Sequence, residues 1–109
     1  MGYDVSFMDP NGEAYANPEG VNPSTEMGVT YNFKPLYLKH GFHVRDLHGL
    51  TGKEVSWGLR RIIKSMDNYS THSMPDEWSR VRGISPLAAL QEMLRWAEQH
   101  PEGLFGVCN

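Results

Sequence analysis

Apolar positions at the start of the chain alternate with period two. Tyr3, Val5 and Phe7 are separated by Asp4 and Ser6, and Met8 follows. That spacing places one apolar row on one face of a strand. Asp9-Pro10-Asn11-Gly12 comes next, with Asp, Pro and Gly at the first, second and fourth turn positions, which fits a type I turn. The chain is expected to return as a short second strand over 13–16, closing an N-terminal hairpin. Residues 17–26 hold Pro18, Gly20, Pro23 and two asparagines and keep no period. They read as an irregular surface loop, either a plain connection or a flap over a site. Met27, Val29 and Tyr31 resume the alternation and predict a third strand ending at Asn32. Asn32 is expected to cap a short helix near 34–41, with Pro35 in its first turn and Leu36, Tyr37 and His40 on its buried side.

Further on, the period becomes helical. Thr51-Gly52-Lys53-Glu54 has the Thr-x-x-Glu spacing of a capping box. Val55, Leu59, Ile62, Ile63 and Met66 then form one apolar stripe, predicting a helix over 52–66. Ser85-Pro86 opens a last helix over 86–100. Leu87, Leu90, Met93, Leu94 and Ala97 line one side of it, and Ala89 and Trp96 widen the arc. Pro101 and Gly103 end it, and 104–107 can add a final short strand. The polar stretch 67–83 has room for a helical turn around 76–80, and 42–50 shows no clear period. The reading is one α+β domain over 1–109. A small antiparallel sheet, the N-terminal hairpin plus the third strand, packs against the two main helices and the short one near 34–41.

Composition narrows the function classes. A chain of 109 residues buries about two-thirds of its unfolded surface, enough for one modest core without disulfides or a structural metal. Its apolar runs are too short to span a membrane. Met1-Gly2-Tyr3-Asp4 has neither a basic nor an apolar leader, so no secretory signal is expected. One cysteine, Cys108, excludes an internal disulfide and suits a reducing cytoplasm. A net charge of -3 argues against a general nucleic-acid coat.

That net charge hides a segregation. Helix 52–66 carries Lys53, Arg60, Arg61 and Lys64 against one carboxylate, Glu54. Trp57 lies among those cations, roughly 175° from the centre of the apolar stripe at 100° per residue. An indole among guanidinium and ammonium groups suits an anion with an aromatic part, through stacking and charge-assisted hydrogen bonds. The plainer alternative packs Trp57 against the last helix or a second copy and leaves the cations solvated. The helix start at Thr51-Gly52 is a second candidate anion point, because free amides and the helix dipole favour a phosphate there, although plain capping explains it too. Thr30-Tyr31-Asn32 with Tyr37 gathers polar and aromatic groups at a strand end. His40, His43 and His48, with Asp46, invite a metal check. Gly41 breaks a shared helical face and no cysteine joins them, so no metal or cofactor is expected. No Gly-x-Ser-x-Gly elbow or His-Glu-x-x-His pattern occurs, and Cys108 sits beside the C-terminus, so nothing selects a catalytic group.

The chain resembles a family of small proteins found in phage and prophage genomes. The matching points are Tyr3-Asp4, Asp9-Pro10-x-Gly12-Glu13, Thr30-Tyr31-Asn32 and Gly49-Leu50-Thr51-Gly52-Lys53-Glu54. The last helix followed by Pro101-Glu102-Gly103 and an apolar end also fits, so the match spans most of the chain. This copy departs in its compact 17–26 loop and its polar 67–83 stretch. The resemblance implies an accessory phage protein acting inside a bacterial cell, a class that includes non-enzymatic inhibitors and sponges turned against host defence. It carries over no catalytic residue.

Three functions follow as expectations. The first is a non-enzymatic protein that sequesters a small anionic, nucleotide-like ligand, with a homodimer expected, since one domain of this size has little concave surface. Trp57 or Tyr31 would stack, Arg60, Arg61 and the Gly52 and Lys53 amides beside Thr51 would hold phosphate, and Asn32 would hydrogen-bond. The second is an inhibitor of a host defence protein such as a CRISPR effector, docking through Glu13, Glu19, Glu26, Asp67, Asp76 and Glu77. The third is a small nucleotide-cleaving enzyme.

Overall fold

In a computed structural model of the chain, residues 2–68 and 84–109 are described. The alternation at the N-terminus forms strand β1 over Gly2–Met8, with Tyr3, Val5 and Phe7 buried. Strand β2 is Glu26–Thr30 and strand β3 is Leu104–Cys108. β1 is central and antiparallel to both, in the order β2-β1-β3. Val5 faces Met27 on one side, and Phe7 faces Phe105 on the other, so the inner rows of all three strands meet.

The expected hairpin is half present. The Asp9–Gly12 turn closes, with the Gly12 amide donating to the Asp9 carbonyl at 2.9 Å. Asp9 Oδ1 also accepts the Asn11 and Glu13 amides. Residues 13–16, however, form only isolated bridges, Met8 with Ala14 and Ala16 with Ser24. Thr25 takes the place they would need. Its carbonyl accepts the Phe7 amide at 2.9 Å, and its hydroxyl donates to the Phe7 carbonyl at 2.5 Å. The strands that flank β1 therefore come from far along the chain.

β2 ends at Thr30, two residues before the expected Asn32. Tyr31–Phe33 winds into a single 3-10 turn, and Thr30 Oγ1 accepts the Asn32 amide at 3.2 Å. Thr30 is thus the capping residue, and Asn32 caps nothing. Helix α1 follows over Lys34–Lys39 and stops before Gly41, whose φ of 76° suits glycine. A second 3-10 turn, Val44–Leu47, fills the stretch that shows no period. His43 and Asp46 cap it reciprocally, and Val44 and Leu47 enter the core.

Helix α2 runs over Gly52–Asn68 and helix α3 over Pro86–Gln99, both close to expectation. Ser85 Oγ accepts the Ala88 amide at 3.1 Å, as an N-cap should. Val55, Leu59 and Met66 of α2 are buried, as are Leu90, Met93, Trp96 and Ala97 of α3. The sheet joins this helical layer through Phe7, Phe105 and Trp96, whose ring centroids lie 4.5–6.4 Å apart. Among the described residues no helix is long and apolar enough to cross a membrane. The helical turn expected around 76–80 lies outside the described residues.

The loop over 17–26 is anchored instead of acting as a flap. Glu92, buried on α3, accepts the Val21 amide at 2.9 Å and Asn17 Nδ2 at 3.1 Å, and it pairs with Arg95. Arg95 also donates to Asn17 Oδ1 at 2.9 Å. Burial acts to raise the Glu92 pKa. The Arg95 hydrogen bond, the Val21 and Asn17 amides and the Arg95 charge outweigh it and hold the carboxyl below its ordinary 4.5.

A depressed folded value means that stability from Glu92 is complete above pH 4.5 and is lost as pH falls through the folded pKa. Thermal melts from pH 7 down to pH 3 should show that loss. Glu92→Gln should start less stable, by about 1–3 kcal/mol, and lose part of the acid dependence. Identical acid slopes for the two proteins would refute the assignment.

Candidate functional site

The inner stripe of α2 is used against α3, so its remaining face points outward. Trp57 is 67% exposed on that face. Four residues on, the Arg61 guanidinium carbon lies 4.8 Å from the indole centroid, within cation–π range. Arg60 leans the other way and pairs with Glu98 of α3 at 2.5 Å. Lys53 and Lys64 are exposed on the same helix. The structure thus leaves the indole unpacked by the last helix.

Beside Arg61 a groove of ≈ 320 Å³ runs between α2 and the end of α1, lined by His40, Gly41, Gly58, Arg61, Ile62 and Ser65. His40 Nδ1 lies 2.7 Å from Ser65 Oγ, which joins the two elements across it. None of these lining residues is acidic. A larger depression of ≈ 650 Å³ lies over the outer face of the sheet. Asp4 and Glu26 line it, and two carboxylates disfavour an anion there.

The helix start is not an anion point. Thr51 and Glu54 form the expected capping box: Thr51 Oγ1 accepts the Glu54 amide at 3.2 Å, and Glu54 Oε1 accepts the Thr51 amide at 3.0 Å. The Thr51 backbone and side-chain bonds hold the Glu54 pKa below its ordinary value, so the terminus already has its own anion. The Gly52 amide donates to the Gly103 carbonyl and the Lys53 amide to the Pro101 carbonyl, both at 2.9 Å. Neither is directed at a ligand. Gly52 serves packing instead, since a Cβ there would lie 2.8 Å from the Ala97 and His100 carbonyl oxygens.

Tyr31 and Asn32 sit apart from the groove. The Tyr31 ring meets Tyr3 edge-on at 4.8 Å, and Asn32 is exposed beside its bond to Thr30. Of the eight expected ligand residues, Trp57, Arg60, Arg61 and the Lys53 side chain share one face. Thr51 and Gly52 build the helix start, and Tyr31 and Asn32 lie elsewhere. Of the three candidate histidines, two serve the backbone, His43 Nδ1 accepting the Arg45 amide and His48 Nδ1 the Val107 amide, while His40 bonds Ser65. Among the described residues no group of three or more potential ligands comes together to hold a metal.

Sequence patterning missed two features. One is the groove, whose only sequence signal is Gly58 inside a helical stripe. The other is a clip at the end of α3, where Tyr15 stacks on His100 at 3.7 Å and donates to Glu102 Oε1 at 3.0 Å. Burial, the Glu102 hydrogen bond and the charges of Glu102 and Asp9 push the Tyr15 phenol up to about 12. A phenol so held is a donor that ties the 13–16 return to the helix end. Nothing local could have shown it, because Tyr15 and Glu102 are 87 positions apart.

No family model matches the chain, and no curated protein or solved structure is similar to it.

Because the atoms facing Gly52 are backbone carbonyls, they cannot move aside cheaply. Gly52→Ala should destabilise by about 1–3 kcal/mol, despite alanine's better helix propensity. Urea unfolding measures this, and an unchanged or raised midpoint would contradict the close approach.

Proposed function

We propose that this chain is a small non-enzymatic binding protein that sequesters an anionic, nucleotide-like ligand on the outer face of α2. The observation that carries the reading is Trp57, two-thirds exposed with the Arg61 guanidinium over its ring. Leaving an indole in water forgoes the stabilisation that a large apolar side chain gains on burial, about 1.5–3 kcal/mol. A ligand base stacked there recovers about 1–3 kcal/mol. Arg61 can stack through its face and donate in its plane to a phosphate, which an ammonium cannot do. Lys53 and Lys64 add attraction to the same side.

Magnitudes also bear on the assembly. One stacked base and one charge-assisted contact together supply roughly 2.5–6 kcal/mol, an affinity weaker than micromolar. Tight sequestration therefore calls for a second surface, and a homodimer bringing two α2 faces to one ligand supplies it. The phage resemblance supplies a setting: an accessory protein in a bacterial cytoplasm that captures a nucleotide-derived defence signal.

A second reading rests on the same residues. Trp and Arg dominate protein–protein hot spots, so the Trp57 face equally suits a host defence protein. Glu13, Glu19 and Glu26 are exposed, whereas the side chains of Asp67, Asp76 and Glu77 lie outside the described residues.

A thermal-shift panel of cyclic and linear signalling nucleotides tests the proposal. A ligand at 100 times its Kd should stabilise by about 2.7 kcal/mol, several degrees for a domain of this size. The double variant Trp57→Ala, Arg61→Ala should lose that shift while the free protein melts nearly as before. A silent panel, or a shift that survives the double variant, would overturn the proposal. Product formed on long incubation would replace it with the nucleotide-cleaving reading.

A further inference from the structure

We infer that Gly58 keeps open a phosphate subsite beneath Arg61, and that this subsite takes the sugar-phosphate part of a single nucleotide unit whose base stacks on Trp57. The inference rests on the binding role proposed for the α2 face and assigns the ligand's parts to places on it.

Gly58 is the unexplained residue of α2. Glycine inside a helix is destabilising relative to alanine, so it persists where conformation or close packing requires it. Among the described residues neither requirement holds. Gly58 is not among the glycines with positive φ. A Cβ built on it meets nothing within 4 Å among the described residues, whereas one on Gly52 meets two carbonyl oxygens at 2.8 Å. What the missing side chain does is leave the helix backbone bare as the floor of the groove.

The lining of that floor has the chemistry of an oxyanion site. Arg61 lines it with its guanidinium carbon 4.8 Å from the Trp57 ring centroid, and a guanidinium carries five N–H groups with which to meet an anion. The bonded pair His40 and Ser65 forms the polar wall, and Ile62 supplies an apolar patch for a sugar ring. A groove of ≈ 320 Å³ is at the small end of ligand sites, which run roughly 300–1,000 Å³. It accommodates one nucleotide unit, so a longer or cyclic oligonucleotide would place one unit in the groove and leave the rest outside.

Titration calorimetry of the full chain with AMP and with adenosine tests this, alongside Gly58→Ala and Gly58→Leu. The wild-type protein should prefer AMP over adenosine by about tenfold or more, because only AMP fills the groove with an anion. Gly58→Ala should raise the melting temperature by about 4 °C, since the added methyl group meets open space. Gly58→Leu should remain folded and weaken AMP by about tenfold or more, erasing its advantage over adenosine. Equal wild-type affinity for the two compounds overturns the subsite whether or not the leucine variant folds. If the Trp57, Arg61 double variant abolishes AMP binding while Gly58→Leu leaves it intact, the α2 face stands and the groove assignment fails. If the wild-type protein binds neither AMP nor any nucleotide of the panel, both fall together.

Discussion

Phe7 is the point at which the sheet, the helices and the two ends of the chain are joined. Its ring is fully buried against Phe105 of β3, Trp96 of α3 and Tyr15 of the 13–16 return. Its backbone amide and carbonyl are both taken by Thr25. Gly103 has no side chain where one would matter, since a Cβ there would lie 2.3 Å from the Phe7 ring. One residue thus sets the register of β3, the path of the loop before β2 and the distance between the layers. In a domain with a single modest core, the tightest contacts fall where the most elements converge.

From that point the position of α2 follows. β3 is tied along its outer side by the segment that leads into α2: the Gly49 amide donates to the Phe105 carbonyl, and the Phe105 amide to the Leu50 carbonyl. The helix begins at Gly52, pressed against the end of α3, and its apolar stripe closes over that helix. The stripe uses up one side of α2. Trp57 and the cations then have no core left to enter, and the indole is held in water by the same packing that makes the rest of the helix stable.

The candidate site is therefore a surface created by exclusion. Its charge is local: Arg60 is answered by Glu98, while Arg61 is engaged with the indole. The sheet's outer depression is lined by Asp4 and Glu26, whereas no described residue lining the α2 groove is a carboxylate, so a weakly acidic chain distributes its charge unevenly. This is the physical basis for proposing an anionic ligand for a protein whose net charge is -3.

What the sequence alone determined was local. Period two marked β1 and β2, the Thr51–Glu54 spacing and the stripe after it marked α2, and Ser85-Pro86 marked the start of α3, because each signal is contained within a few turns or residues. The outward position of Trp57 among its cations was legible for the same reason, since helical geometry alone sets it. Only the tertiary structure decided which strands flank β1, because Thr25 outcompetes the adjacent 13–16 segment for the backbone of Phe7. It alone showed that the Gly52 and Lys53 amides are satisfied by the 101–103 turn, that Glu92 anchors the 17–26 loop, and that His40 bonds Ser65 of α2 beside the groove that Gly58 lines. Those outcomes join residues distant in the chain, and a pattern of local periods holds no information about which distant partner arrives.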